Sequence, residues 1–282
     1  MLVARTPEEL TPAFGGVLIP TMGALHAGHL ALIREAAAWR RGRSPTPPIV
    51  LSVFVNPTQF DEADDFARYP HDLERDVALA ERAGADAVFA PPIECVYPAG
   101  EDIPTGPIPA CAVGKGLEDE FRPGHFEGVC QVVRRFFGLS RCAAAVFGEK
   151  DWQQLQTARA MSRDEGLGVE VIAGATVREE DGMALSSRNV HLSPDERTRA
   201  RAISRGLCAA GAEPTIADAG RALREAMADA GIDVNYATIR DARTLAPLDP
   251  GLRPADLGAP ARALAAGRLG LVRLLDNAPW PG

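Results

Sequence analysis

The chain has 282 residues, 46% of them hydrophobic and 24% charged, with a formal net charge of -8 at pH 7. This is an ordinary globular composition, long enough for one large domain or two modest ones, and its acidic balance argues against non-specific nucleic-acid binding, which relies on basic patches. Cys95, Cys111, Cys130, Cys142 and Cys208 are odd in number and form no Cys-x-x-Cys pair, no apolar leader opens the chain, and no run is long enough to span a membrane; the expectation is a cytoplasmic protein with free thiols.

Thr6-Pro7-Glu8-Glu9 predicts a short helix, with Thr6 as N-cap and Glu9 completing a capping box. Val17-Leu18-Ile19 reads as a buried strand closed by Pro20, and Leu30, Leu32, Ile33, Ala36, Ala37 and Trp39 recur at helical spacing. Between them lies TMGALHAGH, so the unit is strand, Gly-containing turn, helix. The free N–H groups and dipole of a helix N-terminus make such a junction an anion site, and Gly23 and Gly28 let a ligand approach the backbone. His26 and His29, three apart, can face one pocket if the helix starts near Ala27. Zinc is a rival reading for two histidines, but the spacing is not His-Glu-x-x-His, and a third ligand would have to come from His71, His125 or a cysteine.

GRSPTPP then breaks the chain, and Ile49 to Val55 predicts a buried parallel strand, giving a βαβ unit. Asn56 and Gln59 follow at its C-terminal end, where open α/β sheets bind ligands. Asp61, Glu62, Asp64 and Asp65 read as a solvated acidic loop rather than a metal site. A helix through Leu73, Val77, Leu79 and Ala80, capped at Gly84, leads to a strand at 87–90. Residues 97–124 read as a long irregular loop, and the stretch 121–129 that leads from it into an apolar helix offers Arg122 and His125 as candidate anion contacts. A strand at 143–147 ends in GEKDWQQL, a second strand-turn-helix junction. There Lys150 can reach a phosphate as a point charge, Asp151 favours the helix dipole, and Gln154 shares the face of Lys150. After a strand at 168–173, the loop 176–189 carries Ser186-Ser187-Arg188, which suit phosphate oxygens. Ser193-Pro194-Asp195-Glu196 starts a helix over 194–210; a helix over 216–230 and strands at 234–242 and 271–276 complete a smaller α+β unit.

PTMGALHAGH resembles the His-x-Gly-His motif of the nucleotidyltransferase superfamily and, in this extended form, the pantothenate synthetase (pantoate–β-alanine ligase) family. SVFVNPTQF, RPGHFEGV, FGEKDWQQL and LSSRN are similar to that family's motifs in order and spacing. The resemblance implies an α/β fold: a Rossmann-like parallel sheet with helices on both faces over 1–176, and a smaller α+β C-terminal domain over 177–282 closing on the site. It implies the ATP-dependent condensation of pantoate with β-alanine through a pantoyl adenylate, with magnesium, in a homodimer without nucleic-acid or membrane partners. On this resemblance ATP lies against Met22, Gly23, Ala24, Leu25, His26, Ala27, Gly28 and His29, against Gly148, Glu149, Lys150 and Asp151, and against Val177, Leu185, Ser186, Ser187 and Arg188. Gln59 and Gln154, with Asn56, hold pantoate and β-alanine; His29, as proton donor, His26 and Lys150 are the catalytic set, and the metal ligands are left open. The chain departs from the family's usual residues at His71, Gln131, Arg134 and Trp152. A related adenylyltransferase with a phosphate-bearing acceptor and a nucleotide-binding protein without turnover are the alternatives.

Overall fold

A computed structural model describes residues 1–59, 69 and 71–282; the acidic stretch at 61–65 lies outside the described residues. Strands β1 (Leu2–Ala4), β2 (Val17–Thr21), β3 (Ile49–Val53), β4 (Ala87–Phe89), β5 (Ala144–Gly148) and β6 (Glu170–Gly174) form a parallel sheet in the order β1-β4-β3-β2-β5-β6. Helices α1 (Pro7–Leu10), α2 (Ala27–Trp39), α3 (Leu73–Ala83), α4 (Ile93–Val96), α5 (Glu118–Phe121), α6 (His125–Ser140) and α7 (Trp152–Asp164) are interleaved with these strands.

Alternation along the strands feeds two cores. Val17, Ile19, Ile49, Leu51, Val88 and Val146 pack with Leu32 and Ile33 of α2 and Ala80 of α3. Leu18, Val50, Phe89, Ala145 and Phe147 pack with Phe126, Val133 and Phe136 of α6 and Leu155 of α7. Helices thus cover both faces, as expected. The strand order reverses between β2 and β5, and their ladder holds only Val17↔Ala144 and Leu18↔Ala145. Beyond Leu18 the two strands part, leaving a crevice at their C-terminal ends, the usual ligand position in such sheets. Pro20 does not close β2 as the sequence suggests. The strand runs through it to Thr21, paired to β3 at Pro20↔Ser52, and proline has no N–H to offer a further neighbour.

The rest of the chain forms α8 (Pro194–Ala200), α9 (Ala202–Gly211), α10 (Ile216–Asp229) and an antiparallel sheet, β7 (Asp233–Asp241), β8 (Ala261–Leu269) and β9 (Val272–Trp280). Its two faces have different partners. Ala237, Ile239, Ala263, Ala265 and Leu274 pack on Ile203, Leu207, Leu223 and Met227 of the helices. Tyr236, Leu264 and Ala266, with Leu275 against them, join the core of α6 and α7.

Several sequence expectations are corrected. The helix expected over 194–210 breaks at Arg201. The loop 97–124 contains a 3-10 turn at Ala110–Ala112 and helix α5. Strand β8 is not among the expected strands, because its alanines lack the branched and aromatic side chains that mark one. Thr6 does cap α1, accepting from the Glu9 N–H at 3.3 Å, but the Glu9 carboxylate returns to Arg5 N–H at 2.6 Å, one residue before the expected box partner.

Candidate active site

The loop after β2 is shaped by two left-handed residues, Gly23 at φ 87° and Ala24 at φ 51°. Asp76 of α3, 1% exposed, accepts the next N–H groups, from Ala24 at 2.9 Å and Leu25 at 2.8 Å. A Cβ on Gly23 would lie 2.8 Å from Asp76 Oδ2, so this turn requires glycine for both its conformation and its close approach. Burial raises the Asp76 pKa, partly offset by those N–H bonds.

His26 is the N-cap of α2, and the two histidines form a reciprocal capping box. Gly28 N–H donates to His26 Nδ1 at 3.1 Å, and His26 N–H donates to His29 Nδ1 at 3.3 Å. Both Nδ1 atoms are acceptors, so each neutral ring carries its proton on Nε2. Burial, then the Lys150 charge, lowers the His26 pKa; burial, then His26, pushes His29 down to about 3. The ring centroids lie 4.1 Å apart. The junction therefore presents two uncharged Nε2–H donors.

The junction after β5 is built differently. Glu149–Asp151 is a 3-10 turn that no described side chain of its own caps, and α7 starts at Trp152. Lys150 Nζ lies 3.6 Å from Asp151 Oδ1. Burial opposes ionisation of Asp151, but Lys150, Arg188, His125 and Arg122 together lower its pKa and keep it an anion. The turn is tied to the antiparallel sheet. Asn277 Nδ2 donates to the carbonyls of Glu149 and Lys150 at 2.9 and 2.8 Å, and Arg262 Nη2 meets Glu149 Oε2 at 3.1 Å. Arg262 also lies over the Trp152 ring, 3.5 Å from its centroid, and Trp152 Nε1 donates to the Ala242 carbonyl at 2.7 Å.

Asn56, 1% exposed, is consumed by its own surroundings: Tyr97 hydroxyl and Thr58 donate to it, and it donates to the Gly128 carbonyl and, at 3.2 Å, to Gln59 Oε1. Gln59 Nε2 faces Met22 Sδ at 3.2 Å. Ser186 caps the turn Ser187–His191, accepting from Arg188 N–H. That loop is pinned to β9 by Arg178, which grips Asp276 at 2.6 and 3.1 Å.

All these segments meet at the β2/β5 crevice, around a cavity of about 260 Å³. Met22, His26, Gly28, His29, Asn56, Gln59, Gly148, Lys150, Asp151, Gln154, Val177, Leu185, Ser186, Ser187 and Arg188 line it, as do Arg122 and His125. An adjoining cavity of about 370 Å³ shares Arg122, Lys150, Asp151, Ser186, Ser187 and Arg188 with it. Gly23, Ala24, Leu25, Ala27 and Glu149 are not on the wall. Leu25 is in the core, Ala27 points to solvent, Gly23 and Ala24 form the turn, and Glu149 is an anchor. Sequence reasoning missed Asp76, Glu118, Arg262 and Asn277; each acts through a partner distant in the chain, and no local signal marks them. Among the described residues no group of three or more His, Cys, Asp or Glu could hold a metal ion by itself. No helix among them is long and apolar enough to cross a membrane.

The family model for pantoate-beta-alanine ligase matches residues 9–279. The chain belongs to this family. A pantothenate synthetase of Rubrobacter xylanophilus is 49% identical, covering 94% of this chain and 90% of that one. One from Nocardioides is 45% identical, covering 99% and 85%. The crystal structure of pantothenate synthetase from Thermus thermophilus superposes with a TM-score of 0.87 at 44% identity, covering 99% of both chains. That of the Francisella tularensis pantoate-beta-alanine ligase, complexed with Beta-gamma ATP and Beta-alanine, has a TM-score of 0.78 at 26% identity, covering 99% and 97%. As a pantoate–β-alanine ligase the chain joins pantoate to β-alanine and forms pantothenate.

Proposed function

We propose that the crevice cavity binds ATP and activates pantoate as an acyl adenylate before β-alanine arrives. The observation that carries this is the convergence of two strand-turn-helix junctions and the Ser186–Arg188 turn on one cavity. A pantoate carboxylate oxygen attacks the α-phosphorus, and the bond to pyrophosphate breaks. The β-alanine nitrogen then attacks the acyl carbon, AMP leaves with its oxygen, and the amine proton passes to solvent. Charge grows on phosphate oxygens in the first step, where positioned donors and cations are most effective. His26 and His29 turn their Nε2 atoms to the phosphate oxygens as donors, and His29 is the proposed proton donor. Lys150, Ser186, Ser187 and Arg188 supply the remaining donors. Gln59 and Gln154 hold pantoate, each amide offering donors and an acceptor to hydroxyl and carboxylate. Asn56 holds Gln59.

Magnesium fits a site with one ionised carboxylate, because it takes its other ligands from substrate phosphates and water. Asp151 would hold it, and the ion would screen polyphosphate charge. The same reading divides the chain at 176/177 and places it in the cytoplasm as a homodimer, with free thiols in keeping; sedimentation velocity tests the dimer.

Pantoate-dependent exchange of labelled pyrophosphate into ATP, without β-alanine, tests the adenylate. Exchange that needs pantoate supports it; folded protein that forms pantothenate without such exchange rejects it. Transfer of AMP to a phosphate-bearing acceptor instead would favour the adenylyltransferase reading.

A further inference from the structure

Glu118 lies on α5, 7% exposed, in a stretch whose sequence reads as irregular loop. Two side chains of the antiparallel sheet hold its carboxylate: Arg273 of β9 donates to both oxygens at 2.6 and 2.8 Å, and the Tyr236 hydroxyl of β7 donates at 2.8 Å. Arg122, one turn on, stands 3.9 Å from the same carboxylate. Arg122 Nη1 donates to His125 Nε2 at 3.2 Å, and its Nη2 donates to the Gln59 carbonyl at 3.3 Å. A carbonyl only accepts, so His125 Nδ1 donates to the Gln59 carbonyl at 3.0 Å, and Nε2 is left to accept from Arg122. The chain of contacts thus ends on the backbone of Gln59, whose side chain faces the cavity beside Met22.

We infer that Glu118 is a positioning residue for pantoate: clamped by Arg273 and Tyr236, it sets Arg122 and His125, which fix the Gln59 backbone and aim its amide. This rests on the reading that Gln59 holds pantoate. The antiparallel sheet, whose Tyr236, Leu264 and Leu275 also line the cavity, then shapes the acid subsite through a buried carboxylate. A bidentate arginine pair fixes direction as well as distance, which suits this task. The ATP-facing groups hang on other supports: the His26–His29 box on its own backbone and Asp76, and the Lys150 turn on Asn277 and Arg262. Disturbing Glu118 should therefore weaken pantoate and spare ATP.

The test compares Glu118→Gln, Tyr236→Phe and Gln59→Ala in the full-length enzyme, measuring KM for pantoate, KM for ATP and kcat. Glu118→Gln is expected to raise the pantoate KM by about tenfold and Tyr236→Phe by about threefold, with the ATP KM within about twofold. Equal rises in both KM values, or an unchanged pantoate KM in both variants, overturns the inference. Tyr236→Phe keeps the ring and the Glu118–Arg273 pair, so it decides the matter if Glu118→Gln does not fold. Gln59→Ala separates the two levels. An unchanged pantoate KM there removes Gln59 from the acid subsite. A rise there alone leaves Gln59 in place and removes Glu118.

Discussion

The two junctions that flank the crevice carry similar chemistry on opposite supports. The one after β2 holds itself: two histidine rings cap their own helix, and Asp76 from the neighbouring helix fixes the turn. Its histidine rings are paired within the turn, and Asp76 reaches it from farther along the chain. The one after β5 is held from far along the chain. Its carbonyls are bound by Asn277, its acid by Arg262, and its charges, Lys150 and Asp151, face the cavity. Uncharged donors can be placed by local capping. A cation-anion pair that faces a cavity from a short turn, with Asp151 half-exposed, needs a scaffold that fixes its place, and the antiparallel sheet supplies one.

Removing the charge itself should break the contrast most strongly. Lys150→Ala is expected to lower turnover by about 10² or more, the scale of losing one major transition-state donor; a rate close to wild type would take Lys150 out of the mechanism. Next comes its remote support. Asn277→Ala leaves two carbonyls without their donor, which costs about 1–3 kcal/mol where such groups stay buried. Turnover should drop by about tenfold. Retained turnover with reduced thermal stability would mean that Asn277 only holds the fold. The support that α3 gives the histidine turn should matter less. Asp76→Asn keeps one acceptor but turns an NH₂ toward a backbone N–H, so the histidine turn loosens. A loss of about fivefold in turnover is expected, and an unaltered rate would show that the capping box stands without it.

The smallest effect concerns pH. A histidine in the unfolded chain takes up its proton near 6.5, while folded His29 does so only near about 3. Between these values the unfolded state binds more protons, so the folded state loses stability as pH falls through that window, and this loss is absent above it. Urea midpoints at pH 7 and pH 5 should therefore differ more in the wild type than in His29→Gln. Equal differences would assign the pH dependence to other groups.

What the sequence disclosed follows from the range of the interactions. Strand, glycine turn and helix are neighbours in the chain, so both junctions and most parallel strands were readable from periodicity and breakers alone. Lys150, His26 and His29 were readable for the same reason, by their place after a strand. The capping role of the two Nδ1 atoms was not, because serine or aspartate is the usual cap and a histidine cap depends on ring rotamers. Arg262, Asn277 and Arg273 reach partners more than 100 positions away, and nothing in their own neighbourhood announces this. The alanine-rich strand β8 escaped because packing between two layers, rather than propensity, makes it extended.

The antiparallel sheet is greasy on both sides, with Leu264 and Ala266 committed to one core and Ala263 and Ala265 to the other. Such a slab is not a portable cassette. Cut away, it would bare Tyr236 and Leu264, and the parent would bare Phe121, whose ring lies 6.2 Å from that of Tyr236. This shared seam ties both halves into one unit, and a single calorimetric transition is the expected outcome on heating.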